Sequence, residues 1–366
     1  MIMKKTRFMN KAKAETIIEN SFRKQVRNDK NVRNACLLVD SEKNGIYLNL
    51  AEGKTGNVEA HPQQPNHMAS VGKLFTATVI AILHEKGELS FDDPISKHLD
   101  SELMDKLHVY KGNDFSGNIK ISHLLNQSSG LNDVFFQLWN KLKENPEMII
   151  TPREALFWGK ENLNPVAEPG QKHFYTDTNY YLLGFIIENI TKKPFHEALH
   201  KYIFNPLGMK NAYMMGFSEP SVKPGYPTAK LFIDEVDITT IKGFHQIDYA
   251  GGGVVAPLED YLLFMKALVN HRLFKAETLQ RMLSDDHRSL PTIRYGYSIW
   301  KFITIPLLMP EKYNCWGCVG VTGAYMFYHP KTESYIIGTF NDISYKSKAL
   351  RFMLSKVIRE LLKINK

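Results

Sequence analysis

A serine and a lysine three residues apart, Ser70 and Lys73, stand at the head of a long apolar run, N-H-M-A-S-V-G-K-L-F-T-A-T-V-I-A-I-L-H-E-K-G, from Asn66 to Gly87. Val71, Leu74, Phe75, Thr78, Ile82 and Leu83 recur at three- and four-residue steps, with Val79, Ile80 and Ala81 on the remaining faces. That pattern predicts a helix buried nearly all round, stopped by Gly87. In a helix, positions i and i+3 share a face, so the hydroxyl and the amine meet. A serine at a helix N-terminus also feels the positive dipole end, which favours an alkoxide and a developing oxyanion. S-x-x-K occurs three times, at Ser21/Lys24, Ser70/Lys73 and Ser298/Lys301. Only the copy at Ser70 opens a buried helix, where a lysine is costly unless it has work or a partner.

The second candidate is Tyr175, in E-P-G-Q-K-H-F-Y-T-D-T-N-Y-Y-L-L-G (168–184). Pro169-Gly170 forces a turn, and Thr176 or Asp177 is placed to cap a helix carrying Leu182, Leu183, Ile186 and Ile187. A phenol at such a junction can project into a cleft and share a proton with a serine or a lysine.

These side chains need a scaffold, and the chain is long enough to supply one. At 366 residues, 43% hydrophobic and 23% charged, it is expected to be globular throughout with a large core. Residues 12–28 read as an amphipathic helix, followed by strand candidates Ala35–Val39 and Gly45–Leu50. Residues 119–131 read as a short helix ending at Gly130, and 134–206 as helices broken by prolines. After the glycines of 250–253, a short β run leads into a helix from Pro257. Further strand candidates are Tyr295–Ile303, Ala324–Tyr328 and Tyr335–Phe340, and a helix over 347–362 closes the chain. Strands at both ends with helices between imply an α/β (α+β) fold: one sheet built from both ends and flanked by the terminal helices. The expected division is a sheet-containing part, 1–89 with 245–366, and a mostly helical part, 90–244.

Taken together, the motifs resemble the serine β-lactamase / penicillin-binding protein superfamily, in particular its class C, esterase and D-aminopeptidase branch. Ser70-Val71-Gly72-Lys73 matches that branch's S-x-x-K, and Tyr175-Thr176-Asp177 its Y-x-N, with aspartate for asparagine. W-G-C-V-G-V-T-G-A-Y-M-F-Y-H-P (316–330) is similar to its G-H-x-G-x-T-G strand, with Cys318 for histidine. A second register sets Val321-Thr322-Gly323 against K-T-G. I-S-H-L-L-N-Q-S-S-G-L, N-P-L-G-M (205–209) and A-G-G-G-V-V-A-P-L-E-D (250–260) extend the likeness over residues 60–341. The resemblance implies an antiparallel sheet flanked by N- and C-terminal helices plus a helical subdomain. It implies Ser70 as nucleophile, Lys73 and Tyr175 sharing the general-base duty, and backbone N–H groups of Ser70 and Val321 as oxyanion hole. Asp177, Cys318 and Gly320 would line the substrate side. No cofactor and no metal are implied, and the partner is a small-molecule ester or amide.

Two departures bear on activity. Asp177 would put a carboxylate near Lys73 and favour its ammonium form. Cys318 removes the cationic or proton-handling group usual on that strand. A catalytically silent binding protein on the same fold is therefore the rival reading, with a D,D-peptidase or β-lactamase as another. Cys315 and Cys318 are spaced like a redox or zinc pair, but a strand rather than a helix follows, and Cys36 alone adds too few ligands. The net charge is +8, and residues 1–33 hold ten Lys/Arg against three acidic residues, read as a solvated helix face rather than a nucleic-acid site. No apolar signal region follows the basic start and nowhere do 18 apolar residues run together, so a cytoplasmic protein without a membrane span is expected.

Overall fold

The computed structural model describes residues 9–305 and 310–364; the extreme basic N-terminus, residues 1–8, lies outside them. Its centre is a nine-stranded antiparallel sheet. In spatial order the strands are His287–Leu290, Ile293–Tyr295, Trp300–Phe302, Cys315–Gly320, Ala324–His329, Ser334–Thr339, Asn34–Ser41, Ile46–Thr55 and Val58–Glu59. The first long strand of the chain thus sits between the last strand and its own hairpin partner, in registers such as Leu38 opposite Ile337 and opposite Asn49.

Side chains alternate across this sheet, as the twofold period of a strand requires. Ala35, Leu37 and Val39 face one core with Ile18, Phe22 and Val26 of helix Lys11–Arg27 and with Phe352, Val357 and Ile358. Cys36 and Leu38 face the other, larger core, which contains helix Gly72–Glu85. The C-terminal residues 346–361 run as one helix with a π-type segment, Met353–Ile358, in its middle. The mixed helix-and-antiparallel-sheet architecture is the one the motifs imply.

Several local expectations need correction. Residues 295–303 are not one strand. Ile293–Tyr295 and Trp300–Phe302 pair antiparallel, because the chain reverses between them with Ser298 at φ 59°. Gly296 makes the reversal possible: a β-carbon there would lie 2.2 Å from the Met282 carbonyl oxygen. The helix expected over 119–131 is limited to Ile121–Leu125. Beyond it, residues 126–130 run as a loop held by side-chain bonds such as Ser128 Oγ to Asn126 Oδ1 (2.6 Å). The central helix begins at Gly72, just past the serine expected in its first turn, and Asn66–His67 before it pairs with strand Val254–Ala256. Ser70 therefore lies in a single 3-10 turn, Ala69–Val71, that leads into the helix.

Candidate active site

The turn carrying Ser70 is fixed from below and from both sides. Its helix approaches the 251–253 glycines so closely that a β-carbon on Gly72 would lie 2.9 Å from Gly252 Cα. Glycine at position 72 is what lets the two backbones touch, and a β-carbon on Gly252 would instead run into the Asp248 carboxylate, 2.3 Å from its Oδ1. Ala69, just before the serine, adopts φ +47°, a left-handed conformation that residues with a β-carbon rarely take. On the opposite side runs strand Cys315–Gly320, whose Gly320 packs against Met68 and Ala69.

Lys73 is fully buried, three residues further along in the first turn of helix Gly72–Glu85. Its Nζ donates to Ser70 Oγ (3.0 Å), to the Gly251 carbonyl (2.8 Å) and, in a short bond, to Asp177 Oδ1. An ammonium has three N–H donors, and all three are used. Because Ser70 Oγ accepts from Lys73, its own proton is free to go elsewhere. The phenol of Tyr175 lines the same cleft beside it. Tyr175 stands at the head of helix Thr178–Thr191, braced by the rings of Tyr295 (5.9 Å) and Trp300 (6.2 Å), with Lys73 Nζ 5.3 Å from its own ring centre. Burial, and then the Asp177 charge, push its pKa well above that of an ordinary phenol.

Asp177 occupies the N-cap of that helix, yet its side chain makes no capping bond. Thr176 Oγ1 accepts from the Thr178 N–H instead (3.1 Å), which leaves the Asp177 carboxylate for Lys73. Burial pushes the Asp177 pKa up to about 6; Lys73 opposes the rise and the neighbouring Asp133 adds to it. Asp133 accepts from the Asp177 N–H (2.7 Å), and burial raises its pKa as well.

Cys318 lies beneath the serine. Its Sγ donates to the Ser70 carbonyl (3.3 Å), and burial pushes its thiol up to about 12. Cys315 belongs to the opposite core, since residues three apart on a strand face opposite ways. Residues 321–323 form the turn after the strand, so of the two registers it is Cys318-Val319-Gly320 that lies on it. Val321 opens that turn and lines the cleft beside Ser70 and Gly320.

Of the other S-x-x-K copies, Ser298 is buried against Tyr180, and Lys301 pairs with Asp286. Ser21 and Lys24 lie on helix Lys11–Arg27, across the sheet from Ser70.

The cleft above Ser70 has a volume of about 490 Å³, within the range of small-molecule sites. Its walls are apolar, with Phe135, Leu231, Phe244, Ile293 and Trp300 among them, and Asp177 and Asp248 supply carboxylates. Lys346 stands exposed on its rim. Sequence reasoning missed Asp133, Asp248 and His67. The last two meet across 181 residues of chain, with no periodicity to announce the contact.

The Beta-lactamase family pattern matches residues 26–354. The chain belongs to that family. It is 30% identical over 211 residues to Protein flp of Staphylococcus aureus (strain MW2), an alignment covering 54% of this chain and 37% of flp. The chain therefore matches well under half the length of that relative. Among solved structures, a D-stereospecific amidohydrolase from Streptomyces superposes with a TM-score of 0.75 at 20% identity, covering 93% of this chain and 98% of that one. The D-amino acid amidase of Ochrobactrum anthropi, complexed with L-phenylalanine amide, gives 0.75 at 20% identity, covering 96% and 98%. At that identity the likeness establishes the fold. Among the described residues, no helix is long and apolar enough to cross a membrane.

Proposed function

We propose that this protein is a cytoplasmic serine hydrolase that transfers the acyl group of a small ester or amide to Ser70 and then to water. The observation that carries the reading is the bond from buried Lys73 to Ser70 Oγ at 3.0 Å, on the floor of an apolar cleft. A lysine with all three donors engaged holds the serine oxygen and offsets the negative charge that develops on it. Tyr175 is the proton's first stop. Since its pKa is raised, it acts as a relay that takes the Ser70 proton while passing one to the leaving group, rather than as a standing phenolate. Oγ bonds to the acyl carbon, the bond to the leaving oxygen or nitrogen breaks, and that atom departs protonated. Backbone N–H groups of Ser70 and Val321 steady the carbonyl oxygen. Water, deprotonated through the same relay, then releases the acid. The chemistry uses side chains, backbone and water only.

Mass spectrometry after fluorophosphonate treatment tests this. One adduct is expected on Ser70 in the native protein and none in Ser70→Ala, which also loses ester hydrolysis. An unmodified Ser70 would favour the rival reading of a silent binding protein.

A further inference from the structure

We propose that His67 and Asp248 form a positioning pair that fixes the backbone turn carrying Ser70; the inference rests on Ser70 being the nucleophile. Both residues are buried, at 1% and 5% exposure. His67 Nδ1 lies 3.2 Å from the Ala69 N–H, and its Nε2 lies 2.7 Å from Asp248 Oδ2. A backbone N–H can only donate, so Nδ1 is the unprotonated nitrogen. Nε2 then carries the hydrogen, which points at the carboxylate. One tautomer satisfies both contacts, and Asp248 selects it.

The imidazole thereby holds the peptide group at the one place where the local backbone resists. Ala69 sits at φ +47°, and Ser70 follows directly. Relaxation of Ala69 toward an ordinary φ would swing both the Ser70 hydroxyl and its N–H. The far end of the pair is anchored just as specifically. Asp248 precedes Tyr249, whose φ of 29° and ψ of −124° break helix Phe244–Gly252, and it lies three residues before Gly251, whose carbonyl accepts from Lys73. The pair therefore ties the turn that presents the serine to the segment that holds the lysine. His67 is itself set by pairing with Val255 and by the edge of Phe244 at 6.0 Å. Neither the imidazole nor the Asp248 carboxylate bonds to the side chain of Ser70, Lys73 or Tyr175 among the described residues. Asp248 also adds its charge to the surroundings of Asp177; the contribution of the pair tested through His67 runs through the backbone.

The test measures kcat and KM on a neutral p-nitrophenyl ester, with the rate of fluorophosphonate labelling, for His67→Ala alone and in an Ala69→Gly background. His67→Ala should lower kcat and labelling rate by about 10²-fold with KM within about twofold, the scale for a misplacement near 1 Å. In the Ala69→Gly background the same substitution should cost under about tenfold, because glycine takes a left-handed φ freely. Two conservative variants extend the test and carry it if His67→Ala does not fold. His67→Asn keeps an acceptor near the Ala69 N–H, whereas His67→Gln keeps a donor toward Asp248. His67→Asn should retain at least about tenfold more kcat than His67→Gln. A His67→Ala protein labelled at the wild-type rate, a penalty unchanged by Ala69→Gly, or the reverse order of the two conservative variants would each overturn the proposal. If wild type is not labelled at Ser70, the nucleophile reading falls, and this inference falls with it.

Discussion

Lys73 donates to a carboxylate, Asp177 Oδ1, at the position where the family pattern Y-x-N puts an amide. The departure changes the proton inventory of the site. An amide would accept the same bond without charge, whereas the carboxylate pairs with the ammonium; in the proposed mechanism that leaves the proton of Ser70 to Tyr175.

Tyr175→Phe should therefore lower kcat by about 10²–10⁴-fold, the range for losing a general base, with little change in KM. Asp177→Asn should keep or raise kcat, since it preserves an acceptor for Lys73 and removes the charge. Steady-state kinetics of the two variants on one ester decides both. Unchanged turnover in Tyr175→Phe would leave that ring a packing role only.

Asp177 also predicts a pH dependence of stability. Its pKa in the folded chain is pushed up to about 6, above the unfolded value near 3.9. Between those values the folded state binds more protons than the unfolded one, so this group's contribution to stability falls as pH rises from about 4 through 6. Asp177→Asn lacks the effect. The stability of wild type relative to Asp177→Asn, from urea melts at pH 4 and pH 7, should drop by up to about 3 kcal/mol. A difference that grows with pH would contradict the buried, charge-crowded carboxylate.

Gly320→Ala should damage the site from the strand side. A β-carbon there would lie 2.3 Å from the Met68 carbonyl oxygen and 3.1 Å from Ala69 Cβ, so the Ser70 turn must move. Overpacking of this kind costs about 1–3 kcal/mol. Thermal melts should show the loss, and ester turnover should fall with it.

The three cysteines, Cys36, Cys315 and Cys318, are buried and unpaired, and burial raises each thiol to about 12 or beyond. A thiolate is the reactive form, so the native protein should react with Ellman's reagent far more slowly than the denatured chain, which should titrate all three. Fast labelling of Cys318 in the native state would show that the floor of the cleft opens.

Charge at the cleft predicts a substrate preference. Asp177 and Asp248 line it, the strand beside it presents Val319 and Gly320 and no cation, and Lys346 stands out on the rim. Neutral short-chain esters should be hydrolysed with higher kcat/KM than nitrocefin or a D-Ala-D-Ala peptide, both of which carry a carboxylate. Faster turnover of nitrocefin than of the ester would reverse this reading.

What the sequence reveals about this site follows the range of the interactions. Ser70 and Lys73 are legible because i,i+3 on a helix is a local rule, and Leu37, Leu38 and Val39 because β-branched and aliphatic runs mark a strand. Tyr175 is legible through the resemblance, since nothing in its immediate neighbours distinguishes it from a packed tyrosine. His67 and Asp248 are hidden, because the strand pairing of His67 with Val255 that brings them together is a tertiary event. The reversal at Gly296 is hidden for another reason. Tyr295, Tyr297 and Ile299 alternate as a strand would, and all three are buried, yet they reach the core through a turn.

The sheet order has a consequence for how the protein is made. Strand Asn34–Ser41 leaves the ribosome early, but one of its edges stays open until Ser334–Thr339 arrives nearly three hundred residues later. The floor under Ser70 is likewise completed only when Cys318 and Gly320 have been synthesised. A nascent chain stopped before that strand carries its serine and lysine with nothing beneath the serine turn, and it shows an unpaired β edge to its neighbours in the polysome. Contacts this distant in sequence slow the last folding step. Completion of the candidate site thus waits for a strand distant in sequence, and the waiting hairpin is the segment that a holding chaperone would need to cover.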